Sequence, residues 1–339
     1  MPIATSTVYS VSSYKSPSQF PPYVWDALSS AERAANIVLP HALKYCEKEQ
    51  LDGQYWIVCT TPENPHSPAV DFILSCTEGP LGTYPIFIFT TIPSPQLTSS
   101  YASPRIRGMA RELHRLVPKE RVFSVFAPEP ITIMFADWWC RLTGISLAHN
   151  PEYYAATFSH CTRDTFINRR MTYVPGMSYN IRPAVEKDQA AIARLCKAFA
   201  ATSEPFLLSD GAAWREADML IRNKQIWVHE ISEGGCAVDI ASIAAYTRNS
   251  DHVAAITKVY TNPRWRKRGC AERLVRAVTQ HLLKTKESVV LYVSHGNPAA
   301  KVYDKVGFVG LRGDAENFRG VDRWLELGFD PEATTLGHW

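Results

Sequence analysis

The chain has 339 residues, 46% of them hydrophobic and 20% charged, with 36 Lys and Arg against 33 Asp and Glu for a formal net charge of +3. That is the composition of an ordinary globular chain of about two domains, and its net charge is too small to argue for nucleic acid. No run reaches the roughly 18 apolar residues of a membrane-crossing helix, so neither a membrane nor nucleic acid is expected as a partner.

Residues 1–19 are rich in Ser and Thr and lack the apolar core of a signal peptide, which predicts a flexible arm. Strand patterns follow at 54–60, 69–76 and 84–91. Helical spacing of Ile106, Met109, Ala110, Leu113 and Leu116 predicts a helix over 105–116. A strand at 121–127, a helix at 131–142 stopped by Thr143-Gly144, and a strand at 153–158 complete an α/β domain over 20–171. Pro175-Gly176 marks a linker over 172–177, and a second domain is expected over 178–335.

That second domain opens with a strand at 179–184 and a helix from Glu186, with Ile192, Leu195 and Phe199 on its apolar face. Another helix lies between there and Arg222. Strands at 226–231 and 237–246 flank Gly234-Gly235, and a strand at 252–261 ends at the turn pair Asn262-Pro263. Arg264, Arg266, Lys267, Arg268 and Gly269 then lead into a helix over 271–285, read from Ala271, Leu274, Val275, Val278 and Leu282. A helix N-terminus carries free N–H groups and a positive dipole end, so it suits an anion, and Gly269 lets the backbone approach it. After a strand at 288–294, Asn297 is a good N-cap and Pro298 a good first helical residue. Ala299, Val302, Tyr303 and Val306 form the apolar face, and Gly307 ends the helix. Strand-like pieces lie in 308–327 around Asn317-Phe318-Arg319-Gly320. From these residues alone, the basic turn could equally cap a core helix at the surface, and Tyr303 could simply pack in the core.

The eight cysteines are scattered, with no Cys-x-x-Cys pair, and the ten histidines show no metal-ligand spacing. Free thiols in a reducing, cytoplasmic setting and no metal are the expectation. Cys270 reads as a small residue packing behind the turn.

The order strand, two helices, three antiparallel strands, helix, strand, helix, strands resembles the GNAT superfamily of N-acetyltransferases. Arg266-x-x-Gly269-x-Ala271 fits that family's pyrophosphate loop, and the segment from Asn297 to Tyr303 fits its second coenzyme A element. The resemblance implies a mixed, mostly antiparallel sheet flanked by helices. It implies acetyl-CoA or CoA as cosubstrate, contacted by Val259, Tyr260, Thr261, Arg266, Lys267, Arg268, Gly269, Cys270, Ala271, Asn297 and Ala300. It also implies that the strand at 252–260 splays from its neighbour, that the Val259 N–H polarises the acetyl carbonyl, and that Tyr303 protonates the leaving thiolate. The family's usual glutamate base is replaced here by Ala255, which leaves Asp239, His229, Glu230 and His252 as candidates.

Residues 105–110 repeat the loop pattern as Arg105-x-x-Gly108-x-Ala110, but no Asn-to-Tyr helix follows. The first domain therefore reads as a degenerate copy, placing two GNAT-like domains in tandem, with the first walling the acceptor site. The expected activity is acetyl transfer to a small-molecule amine by direct attack. A protein lysine or N-terminal acetyltransferase and a non-catalytic acyl-CoA binder are the alternatives. The acceptor, the base and the oligomeric state stay open at this level.

Overall fold

The computed structural model describes residues 8–46, 53–62, 68–170, 175–235 and 237–338. The chain forms two units, one of Met1–Ala155 with Arg323–Trp339 and the other of Ala156–Asp322.

The first unit holds strands β1 (Ser10–Tyr14), β2 (Tyr55–Thr61) and β3 (Ala69–Cys76), the short hairpin β4 (Glu78–Gly79) and β5 (Gly82–Thr83), then β6 (Ile86–Thr90) and β7 (Ser124–Pro128). Its helices are α1 (Pro22–Ser30), α2 (Leu39–Cys46), α3 (Ser99–Leu116) and α4 (Glu129–Thr143). Strand β8 (Leu147–Thr162) straddles the division of the chain. The second unit continues with β9 (Met177–Pro183), α5 (Gln189–Ala200), α6 (Asp210–Arg222), β10 (Ile226–Glu233), β11 (Asp239–Asn249), β12 (Val253–Thr261), α7 (Cys270–Leu282), β13 (Ser288–Ser294) and α8 (Ala300–Val306). The last strand, β14 (Asp322–Phe329), returns to the first unit.

Each unit repeats one sheet order. In the first it is β1-β2-β3-β6-β7-β14, and in the second β9-β10-β11-β12-β13-β8. All neighbours run antiparallel except β6 with β7 and β12 with β13, which are parallel. Those two pairs also part early. β6 and β7 pair only at Ile86↔Val125 and Phe87↔Phe126. β12 and β13 pair only from Val253↔Ser288 to Ala255↔Val290, although β12 runs on to Thr261 and β13 to Ser294.

Four expectations are corrected. The arm expected over 1–19 is ordered from residue 8: β1 pairs with β2 along its length, Tyr9 and Val11 pack on the core, and the Tyr9 hydroxyl donates to the Pro104 carbonyl at 2.8 Å. Ladder pairing and two apolar side chains outweigh a polar composition; residues 1–7 lie outside the described residues. The helix expected from Arg105 begins at Ser99 and carries Pro104 inside it. The division between the units falls at Ala155 and Ala156, whereas a linker was expected over 172–177; residues 171–174 lie outside the described residues and β9 already begins at Met177. Finally, the strand-like segment around Asn317 is a short 3-10 turn at Ala315–Asn317, and the strand begins at Asp322.

Candidate functional site

The site is built where β12 and β13 part. The ladder with β11 pairs Ala245 with Lys258 and Tyr246 with Ile256, so Thr257 is bulged out. A bulge bends its strand and ends regular pairing. From Thr257 to Thr261 the strand is half-exposed, whereas Val253 to Ile256 are buried. The splayed end of β12 therefore offers backbone N–H and C=O groups that β13 does not use.

The turn after β12 is folded by its own sequence. The Asn262 side chain accepts the Arg264 N–H at 3.1 Å and caps a 3-10 turn over Pro263–Trp265. Trp265 is buried, donates its indole N–H to Asp239 at 2.7 Å, and packs with Met177, Ile231, Ala241 and Cys270. Lys267 (φ 60°) and Gly269 (φ 72°) both sit in the left-handed region, which turns the chain sharply into α7. No side chain caps α7, so the N–H groups of Cys270, Ala271 and Glu272 have no intrahelical acceptor. Around this helix start stand exposed Arg264, Arg266 and Lys267 and the half-exposed Arg268. Arg266 leans back on Tyr260, with Nη2 3.3 Å from the hydroxyl, and Arg268 Nη1 lies 3.3 Å from Glu233. A mobile anion can exchange with such long, exposed contacts at little cost.

Cys270 faces inward, and burial raises its thiol pKa; only its backbone is available at the turn. Asn297 accepts the Ala299 N–H at 2.9 Å, but the regular part of α8 begins at Ala300, two residues later than a simple N-cap reading places it. Tyr303 is 8% exposed and belongs to the cluster formed by Leu291, Val293, Val306 and Phe308, against which Val259, Ala299 and Ala300 pack. Tyr303 and Val259 thus share the apolar wall beside the splay.

Three of the four candidate bases are engaged elsewhere. Asp239 holds the Trp265 indole. Glu230 is ion-paired with Arg182, and that hydrogen-bonded guanidinium lowers its pKa. His229 is fully buried and accepts from Arg273. His252 lies before the paired end of β12, its carbonyl accepting the Glu287 N–H at 2.9 Å. What sequence reading missed is a close pair on the strand itself: Lys258 Nζ lies 2.6 and 2.7 Å from the two Glu216 oxygens, 5.2 Å from the Phe199 ring centre. Glu216 comes from α6, and its partner is separated from it by two strands in sequence, so no local pattern links them.

The corresponding place in the first unit is closed. Arg105-x-x-Gly108-x-Ala110 lies in the middle of α3, where the N–H groups are spent on the helix. Arg105 is buried in an ion pair with Asp71 at 2.9 Å, with its guanidinium 3.8 Å from the Tyr101 ring centre. A side chain at Gly108 would meet Tyr9 and Val11 at 3.1 and 3.2 Å. Past the divergence of β6 and β7, Ile88, Phe89 and Ala127 are all buried, and Trp138 of α4 donates to Ser103 of α3 at 2.9 Å across the gap between the two helices.

Comparison with known proteins bears on the fold. Residues 234–316 match the family model described as FR47-like protein. A GCN5-related N-acetyltransferase from Sphaerobacter thermophilus superposes with a TM-score of 0.54 at 14% identity, over 96% of this chain and 98% of that one. A Drosophila protein of known structure gives 0.58 at 10% identity over 94% and 98%. A tandem GNAT protein from the clavulanic acid biosynthesis pathway gives 0.51 at 10% identity over 94% and 98%. At these identities the likeness is one of fold. A search of curated proteins returned no match. Among the described residues no cluster suits a metal ion, and no helix is long and apolar enough to cross a membrane.

Proposed function

Proceeding from a chain with the GNAT-superfamily fold, we propose that the second unit is an acetyl-CoA-dependent N-acetyltransferase and the first a degenerate copy without a coenzyme site. One observation carries the reading: the splay of β12 from β13 is half-exposed and leads into an uncapped, cation-ringed helix start, while its counterpart in the first unit is packed shut. In this reading the pyrophosphate of CoA lies against the N–H groups at Gly269, Cys270 and Ala271, flanked by Arg266, Lys267 and Arg268. The pantetheine arm runs along Val259, Tyr260 and Thr261, on one side, and Asn297 and Ala300 on the other.

The amine attacks the thioester carbonyl directly. The Val259 N–H stabilises the developing oxyanion, the C–S bond breaks, the Tyr303 hydroxyl gives its proton to the departing thiolate, and the proton released by the amine nitrogen passes to solvent, which reprotonates Tyr303. The side of β12 that carries Lys258 is covered by α5 and α6 through Glu216 and Phe199, which suits a small amine better than a protein segment. Seven unpaired cysteines among the described residues fit a reducing, cytoplasmic setting.

The test is calorimetry with CoA, followed by acetyl transfer to a panel of amines and lysine peptides read by mass spectrometry. One CoA per chain, lost in a folded Gly269→Glu variant, with acetylated small amines, is the expected result. Two equal sites, or undiminished affinity in Gly269→Glu, would overturn the site. Transfer to peptides alone, or none at all, would replace the activity by one of the two alternatives.

A further inference from the structure

Beneath the basic turn, α7 buries an arginine that the coenzyme loop pattern does not include. Arg273 is 8% exposed. Among the described residues no carboxylate pairs with it, in contrast to Arg105 and Arg276, which have one each, and Arg182, which has two. A buried cation without a counter-charge is costly. Its neighbours are a carbonyl, a thiol, an imidazole and an aromatic face. Nη2 donates to the Arg268 carbonyl at 2.6 Å. Nε lies 3.2 Å from His229 Nε2, and the guanidinium carbon stands 4.7 Å from the Tyr179 ring centre. Tyr179 in turn stacks on His229 with centroids 5.7 Å apart. Nη1 makes no hydrogen bond among the described residues and lies 3.0 Å from where a Cβ on Gly269 would stand.

Each contact has a consequence for the turn above. In a trans peptide the C=O and the following N–H point in opposite directions. Holding the Arg268 carbonyl inward therefore turns the Gly269 N–H outward, to the face where the helix start is uncapped. His229 can accept from Arg273 only as a neutral ring. Burial, followed by the nearby guanidinium, lowers its pKa to about 4, so it stays neutral at physiological pH. The absent side chain at Gly269 leaves Arg273 its place.

We propose that Arg273, braced by His229 and Tyr179, is the positioning residue of the anion site. It fixes the Arg268–Gly269 peptide with its N–H toward the ligand, and the bound pyrophosphate is the counter-charge that the buried guanidinium lacks. This rests on the assignment of the coenzyme site above, but it assigns a role outside that site's own contacts.

The experiment compares wild type with Arg273→Met, Arg273→Lys and His229→Phe. Calorimetry gives CoA affinity, thermal melts give the shift caused by CoA or by inorganic pyrophosphate, and steady-state rates give KM for acetyl-CoA and kcat. Arg273→Met is expected to weaken CoA about tenfold or more, to lose the stabilisation by pyrophosphate, and to raise KM while kcat at saturation is retained. Arg273→Lys should restore part of the affinity, because an ammonium can still donate to the Arg268 carbonyl. His229→Phe should weaken CoA with the whole turn sequence intact, and it carries the test if Arg273→Met fails to melt cooperatively. A wild type that binds CoA and variants that bind it equally well would overturn this role alone. A wild type that binds neither CoA nor pyrophosphate would overturn the site and this role together.

Discussion

Two buried arginines show how one residue type serves opposite ends. Arg105 is neutralised by Asp71, which also accepts from Thr61 and Tyr101, so it has no charge left for a ligand. Replacing Asp71 by Ala strands that cation, and the expected cost is roughly 3–5 kcal/mol of stability, seen in urea unfolding, with CoA affinity in the surviving folded protein unchanged. At Tyr303, removing only the hydroxyl keeps the ring in its cluster; Tyr303→Phe should lower kcat about 10²-fold with little change in KM for acetyl-CoA. Unaltered turnover would return Tyr303 to a packing role. His229 adds a pH dependence. As pH falls below the ordinary imidazole value of about 6.5, the unfolded chain takes up a proton that the folded chain refuses until about pH 4. The unfolded state therefore binds more protons across that window, and stability falls as pH drops through it. Unfolding midpoints at pH 7 and pH 5 should show this slope, and His229→Phe should reduce it.

At the scale of elements, the function is set by where regular pairing stops. The strand β12 is readable from its apolar alternation, and its end from Asn262-Pro263. Its parting from β13 after Ala255 is not, because the bulge at Thr257 depends on a partner strand. Helix α7 was legible from Leu274, Val275, Val278 and Leu282, and the buried Arg273 stands directly before Leu274, at the margin of that stripe. The helix α8 that carries Tyr303 is held by its exit: Gly307 has φ 113°, and a Cβ there would come within 2.1 Å of the Thr165 carbonyl oxygen. Gly307→Ala should therefore lower Tm by several degrees and reduce turnover with it, through displacement of α8. A variant as stable and as active as wild type would detach α8 from the mechanism. In the first unit the same loop pattern is silent because α3 begins six residues before Arg105, at Ser99. Propensity could not show this, since Pro104 is a helix breaker in isolation and is tolerated here within a helix whose apolar face is anchored on the core.

For the whole molecule, chain order and unit membership diverge. The strand that closes the sheet of the second unit beside β13 is the segment Ala156 to Thr162, which precedes the expected domain start. The strand beside β7 is β14, from the end of the chain. A fragment of residues 178–335 therefore leaves the β13 edge unpaired, and an unpaired edge invites aggregation. It should melt without cooperativity, whereas a fragment of 156–322 should retain helix and strand signals and bind CoA. A stable, CoA-binding 178–335 fragment would refute the boundary at Ala155. The sequence by itself determined the order of helices and strands in the second unit from β9 to α8, the duplicated plan and the cation-rich Gly269 turn, because these follow from local periodicity, turn chemistry and spacing. Only the tertiary structure decided which of the two Arg-Gly patterns starts a helix, where the strands part, which unit each closing strand joins, and which arginines keep an uncompensated charge, because each of those depends on partners far apart in the chain.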